Sequence, residues 1–180
     1  MNLIERVKAI LVSPKTEWTV IDSESGDATF LLTNYVAILA AVPAVASFLG
    51  YSVIGLPIGR SLLFAIFTYV VYCAAWYIEG YVIDWLAPRF GAQRSLASAL
   101  KVSAYSSTAA WLSGIFQLIP ALGILGIFGL YSLYLLWIGL PALMKSPREK
   151  TLGYTAAVVV VMIVVMVVVM VILGTLLRPW

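Results

Sequence analysis

Three side chains stand out as able to do chemistry: Glu79, Lys101 and Tyr105. Glu79 is the one carboxylate well inside a long apolar run, about two turns, on the order of 10 Å, from its end. Lys101 lies one or two turns inside the next span, at a depth that matches Glu79, and Tyr105 follows at i+4, so both leave one side of a helix. Eleven Leu, Ile, Val and Phe residues between Ser61 and Leu86 favour insertion by roughly 3 to 6 kcal/mol. A carboxylate at midspan takes back up to about 3 kcal/mol. The run still inserts, but Glu79 needs a partner, a proton or a wet cavity. The expectation is a polar cluster of Glu79, Lys101 and Tyr105 between two spans. It is either a ligand or proton site, or a structural charge pair.

Other candidates carry less. Asp84 follows Glu79 by five residues, about 140° around a helix, so the two make no acid–base pair on one face. Tyr77, Tyr81 and Trp85 around it read as an aromatic belt at headgroup level. The single cysteine, Cys73, lies in an apolar stretch, where it packs and closes no disulfide within a monomer. There is no histidine, which removes the commonest general base and metal ligand. No phosphate loop, metal-ligand spacing or dinucleotide fingerprint occurs. The expectation is no enzyme, with no catalytic residue, cofactor or metal.

The elements that must position these residues are dictated by composition. Of 180 residues, 63% are hydrophobic and 11% charged, too few charges to cover that apolar surface in water. The net charge of +3 is basic, yet the charges flank apolar runs and form no basic face, which argues against nucleic acid. The surrounding medium is lipid.

A span needs about 20 apolar residues. The sequence offers runs at about 30–51, 61–86, 96–119, 122–144 and 152–177. Residues 102–144 carry no charge and would be about 64 Å long as one helix, so the run must fold back, with Pro120-Ala121-Leu122-Gly123 as the turn. The expected fold is all-α, a polytopic bundle of five transmembrane helices (30–180) behind a short amphipathic N-terminal segment (1–29).

Basic residues set the orientation. Arg6, Lys8, Lys15, Arg89, Arg94, Lys101, Lys145, Arg148 and Lys150 fall on one side, against Arg60 and Arg178 on the other. That excess marks the cytoplasmic side, with the N-terminus inside and the C-terminus outside. In the N-terminal segment Leu3, Ile4, Val7, Ile10 and Leu11 share one helical face, and Ser13-Pro14 starts a second short helix bearing Trp18. Both read as interfacial helices on the cytoplasmic leaflet, the alternative being helices packed on the cytoplasmic loops.

Close packing has its own signal. Ser103, Ser107, Ala110 and Gly114 form a strip of small residues on the third span, and Gly123, Gly126 and Gly129 recur on the fourth. Together they predict a tight hairpin of these two spans. Asn34 and Gln117 are polar groups near membrane depth, each expected to find a partner on another helix.

Three segments carry a family resemblance: Lys101-Val102-Ser103-Ala104-Tyr105-Ser106-Ser107, Leu118-Ile119-Pro120, and the run from Tyr131 to Pro141. With Met144-Lys145-Ser146-Pro147 and Gly153-Tyr154, the chain resembles the YIP-domain family, the Ypt/Rab-interacting membrane proteins and their bacterial relatives. The resemblance implies a five-span bundle with a cytoplasmic N-terminus. Eukaryotic members act in vesicle trafficking and bind small GTPases and each other. This chain has only about 29 residues before its first span, lacks an Asp-Leu-Tyr-Gly-Pro-type segment, and has Ala109 where relatives often have proline. These departures argue against GTPase binding and for a bacterial inner-membrane protein; an ER or Golgi membrane is the alternative in a eukaryote.

The functional expectation is a non-enzymatic membrane-organising or scaffold protein, in contact with lipid, with itself as a homo-oligomer, or with other membrane proteins. The alternative is a small-molecule or ion transporter or channel using the Glu79 region. Its mark would be a cavity reaching Glu79 between spans two, three and four.

Overall fold

A computed structural model describes residues 2–25 and 27–176. Among them there is no strand, and the fold is an all-α membrane bundle. The first helix, α1 (Leu3–Val12), starts with a capping box in which Asn2 accepts from the Glu5 amide at 3.1 Å and Glu5 accepts from the Asn2 amide at 3.3 Å. The second, α2 (Pro14–Ser23), has proline in its first turn, where the missing N–H costs nothing.

The first span opens with α3 (Ala28–Leu31), passes through a π-helical turn at Leu32–Val36, and continues as α4 (Ala37–Val53). The wider turn lets both Tyr35 and Val36 face the core. The second, α5 (Ile58–Leu86), ends in a 3-10 turn at Ala87–Phe90, closed by Gly91 in the left-handed region (φ +69). After the Ser95 cap come α6 (Leu96–Ser106), α7 (Thr108–Ser113) and a 3-10 segment, Gly114–Leu118. A second 3-10 segment, Pro120–Leu130, leads into α8 (Tyr131–Leu143), and α9 (Arg148–Leu176) completes the described chain.

Among the described residues, four helices are long and apolar enough to cross a membrane: Ala28–Val53, Ile58–Phe90, Ala121–Leu143 and Arg148–Val171. The run expected at 96–119 is in three pieces. Its hydroxyls explain the break, because Ser106, Thr108 and Ser113 each donate to the carbonyl three residues back (3.2, 2.8 and 2.9 Å) and compete with the helical ladder. The pieces still lie antiparallel to the next span: α6 packs on α8, and α7 on the Pro120–Leu130 segment. The two runs therefore lie side by side, one in three pieces and the other a 3-10 segment continuing into α8. Of the basic residues used for orientation, Arg178 lies outside the described residues, as does the end of the fifth expected span.

The two basic loops meet at one end, where the Gln93 amide donates to the Met144 carbonyl at 2.8 Å. The N-terminal pair docks there too, so of its two readings the packed one describes it in place of helices lying only on the leaflet. Trp18, read as an interfacial anchor, is only 1% exposed, and a Cβ on Gly139 would come within 2.6 Å of its ring. Tyr131 Oη donates to the Leu11 carbonyl at 3.1 Å, and Lys145 Nζ to Asp22 Oδ2 at 2.6 Å. Thus the end of α1 meets the start of α8, and α2 packs along α8 toward its end. Nor does Asn34 reach another helix; its amide donates to the Phe30 carbonyl one turn back at 3.1 Å.

Candidate functional site around Glu79

Glu79 projects from α5 toward α6. Its Oε2 accepts from Ser103 Oγ at 2.9 Å and from Ser107 Oγ at 3.4 Å. The Ser103 hydroxyl has one proton, and the Trp76 carbonyl also lies 2.9 Å from it, so the two acceptors share that proton. No hydrogen bond to Oε1, and no Lys or Arg paired with Glu79, occurs among the described residues.

Lys101 is elsewhere. Its Nζ donates to the carbonyls of Ile21 (2.9 Å) and Glu24, clasping the end of α2, and the residue is 5% exposed. Tyr105 packs beside it: the Arg6 guanidinium lies 5.5 Å from its ring centre, with Tyr35 at 4.6 Å and Trp18 at 6.3 Å. The expected three-residue cluster is thus divided. Positions 101 and 105 occupy one face of α6, while positions 103 and 107 lie about 200° away. The second set faces Glu79; the first faces the N-terminal helices. Arg6 joins Glu17 and Glu24 in this other cluster, with Arg6 6% and Glu17 7% exposed. Arg6 counted in the sequence only toward orientation, since its partners lie 11 and 18 residues away.

The small residues also separate by task. Ser103 and Ser107 hold Glu79. The break after Ser106 leaves the Ala110 amide free of the helical ladder, and Ser132 Oγ accepts from it at 2.9 Å, tying α7 to α8. Gly114 meets the first span instead of the fourth, its place for a Cβ lying 2.5 Å from Pro43 Cβ. Gly129 sits against Ser113 and Ala110 as the hairpin requires, whereas Gly123 and Gly126 have nothing within 4 Å. Asp84 pairs with Arg94 at 2.7 Å, a structural contact at the basic end.

Beside Glu79 is a cavity of about 400 Å³, walled by α5, α6, α7, α8 and α9. Its lining is mostly apolar, with Tyr72, Trp76 and Trp111 as aromatic members and Glu79, Ser107 and Ser132 as polar ones. Helix α9 is pinned at its start, where Tyr154 Oη donates to the Ile83 carbonyl and stacks on Phe90 at 5.0 Å. Farther along, exposed Ile163, Val167 and Met170, the last 71% exposed, form the crevice wall. The opening is therefore on the apolar flank of the bundle. The arrangement can receive a molecule from the side and offer it one carboxylate oxygen, hydroxyls and an apolar wall that includes Trp76 and Trp111.

The comparisons with known proteins agree with this architecture. A model of the Yip1 domain matches residues 8–169. The inner membrane protein YohC of Escherichia coli K12 is 26% identical over 172 residues, covering 88% of each chain, and its counterpart in strain O6:H1 gives the same figures. No solved structure matches. With nearly the whole bundle inside the matched region, the chain belongs to the Yip1 domain family.

Proposed function

We propose that this is a non-enzymatic inner-membrane protein that takes an amphiphilic cation from the bilayer into the Glu79 crevice and moves it. The carrying observation is the pocket itself, in which a carboxylate without a basic partner among the described residues shares the lining with Trp76 and Trp111 beside the exposed apolar residues of α9. An intramembrane carboxylate is costly unless it serves or is paired, and a cation over Trp76 or Trp111 would gain from the ring quadrupoles as well. The volume of about 400 Å³ suits a small organic molecule. An organising role of the kind the family resemblance implies rests on no particular contact in this fold, so the crevice is the firmer basis.

The test is uptake of a benzyltrialkylammonium ion by proteoliposomes. Uptake above protein-free vesicles, reduced to about a tenth or less by Glu79→Gln, is expected. Uptake no greater than in protein-free vesicles removes the transport reading, and equal uptake by the two proteins removes Glu79 from it.

The broken run at 96–119 completes a five-span topology in this proposal, with the N-terminus in the cytoplasm and the C-terminus outside. The bias of basic residues supports it. Reporter fusions at the two ends should be active in opposite compartments; activity in the same one overturns the topology.

A further inference from the structure

A second cavity lies at the basic end, independent of Glu79. Its volume is about 760 Å³, and it runs between α2, α8 and the start of α9. Three basic residues line it: Lys15, Lys145 and Arg148. Only Lys145 has an acidic partner among the described residues, Asp22 at 2.6 Å, so the positive charge of the other two is uncompensated. Lys145 is held at the rim by backbone in the left-handed region (φ +55) and by its own bond to Asp22. The wall toward the middle of the bundle is apolar and aromatic, with Tyr134, Trp137 and Ile138. Trp18 forms part of the lining, and its indole N–H is buried without a hydrogen-bond partner among the described residues. Two unpaired cations and an adjoining aromatic–aliphatic wall match one ligand chemistry: a phosphate joined to a hydrocarbon chain.

We infer that this groove holds the phosphate of an anionic membrane lipid, with the chain lying along Trp137 and Ile138. The net charge of the lining, three cations against Asp22, selects a headgroup that is negative overall over a zwitterionic one. The site also explains why α2 is docked. Its floor is the seam between Trp18 and α8, so a lipid seated there bridges the N-terminal helices to the bundle.

The experiment is native mass spectrometry of the detergent-purified chain titrated with phosphatidylglycerol, with phosphatidylcholine of the same chains, and with inorganic phosphate. Retention of phosphatidylglycerol at about ten-fold or greater preference over phosphatidylcholine is expected. The Lys15→Gln/Arg148→Gln double variant should bring the two lipids close to parity. Both residues are exposed, so this variant should fold, and unchanged Trp fluorescence checks that it does. Lys150→Gln changes a neighbouring cation outside the groove and should leave the preference intact. Three results would overturn the inference: equal retention of the two lipids by the unaltered chain, an equal loss in Lys150→Gln, or displacement of the lipid by millimolar phosphate. The second would mean a diffuse basic surface, and the third a free-anion site.

Discussion

Arg6 and Lys145 each bridge the N-terminal helices, yet depth makes their worth very different. Arg6 and Glu17 are both buried, so Arg6→Ala leaves a carboxylate in the interior and should cost about 3 to 5 kcal/mol. Lys145 and Asp22 are both partly solvated, and Lys145→Ala should cost no more than about 1 kcal/mol. Thermal unfolding in detergent measures both, and similar losses would contradict the burial on which the contrast rests. The sequence singled out Glu79 as the carboxylate inside a span that needs a partner, a proton or a wet cavity. It misassigned the partner because depth was used to match residues and angle was not. Lys101 and Ser103 are two residues apart on α6, which places them on nearly opposite faces. The strip of small residues was expected against the fourth span, whereas its Ser103 and Ser107 meet Glu79 on α5.

At the level of elements, α2 is fixed to α8 by shape as much as by charge. A Cβ at Gly139 would enter the Trp18 ring, so Gly139→Ala should destabilise by about 1 to 3 kcal/mol and loosen α2. Gly126→Ala, with open space around it, should stay within about 0.5 kcal/mol of the unaltered chain. Trp18 fluorescence and proteolysis of the N-terminal segment report the difference; unchanged spectra in Gly139→Ala would mean that the helix is not seated as described. The long apolar elements were legible because twenty uncharged residues have few fates other than a span. The break between α6 and α7 was less so. The same serines that signal close packing also bond back to their own backbone, and the strip alone does not reveal which effect interrupts the helix. The docking of α1 and α2 was hidden for another reason, because an amphipathic helix bearing Trp18 has the same pattern whether its apolar face meets lipid or protein.

The whole molecule is a bundle tied at its basic end and looser along its flank. At one end Arg6, Lys101 and Lys145 fasten the N-terminal helices, Arg94 pairs with Asp84, and Tyr154 pins α9 to α5. Beyond Val158 the outer residues of α9 turn to the surroundings, and the crevice lies between that wall and Glu79. Sequence alone supplied the medium, the spans and the carboxylate. The crevice depends on how far α9 stands from α5 and α8, a distance that valine and methionine content does not encode. The central claim is that Glu79 offers its charge to a cation in that crevice. Equilibrium binding of a benzyltrialkylammonium ion and of its uncharged carbon isostere to the chain in lipid nanodiscs tests this most directly. The account predicts that the cation binds the unaltered chain at least about ten-fold more tightly than it binds Glu79→Gln, with the isostere indifferent to the substitution. Equal affinity of the cation for both proteins, with the bundle intact in each, would contradict it.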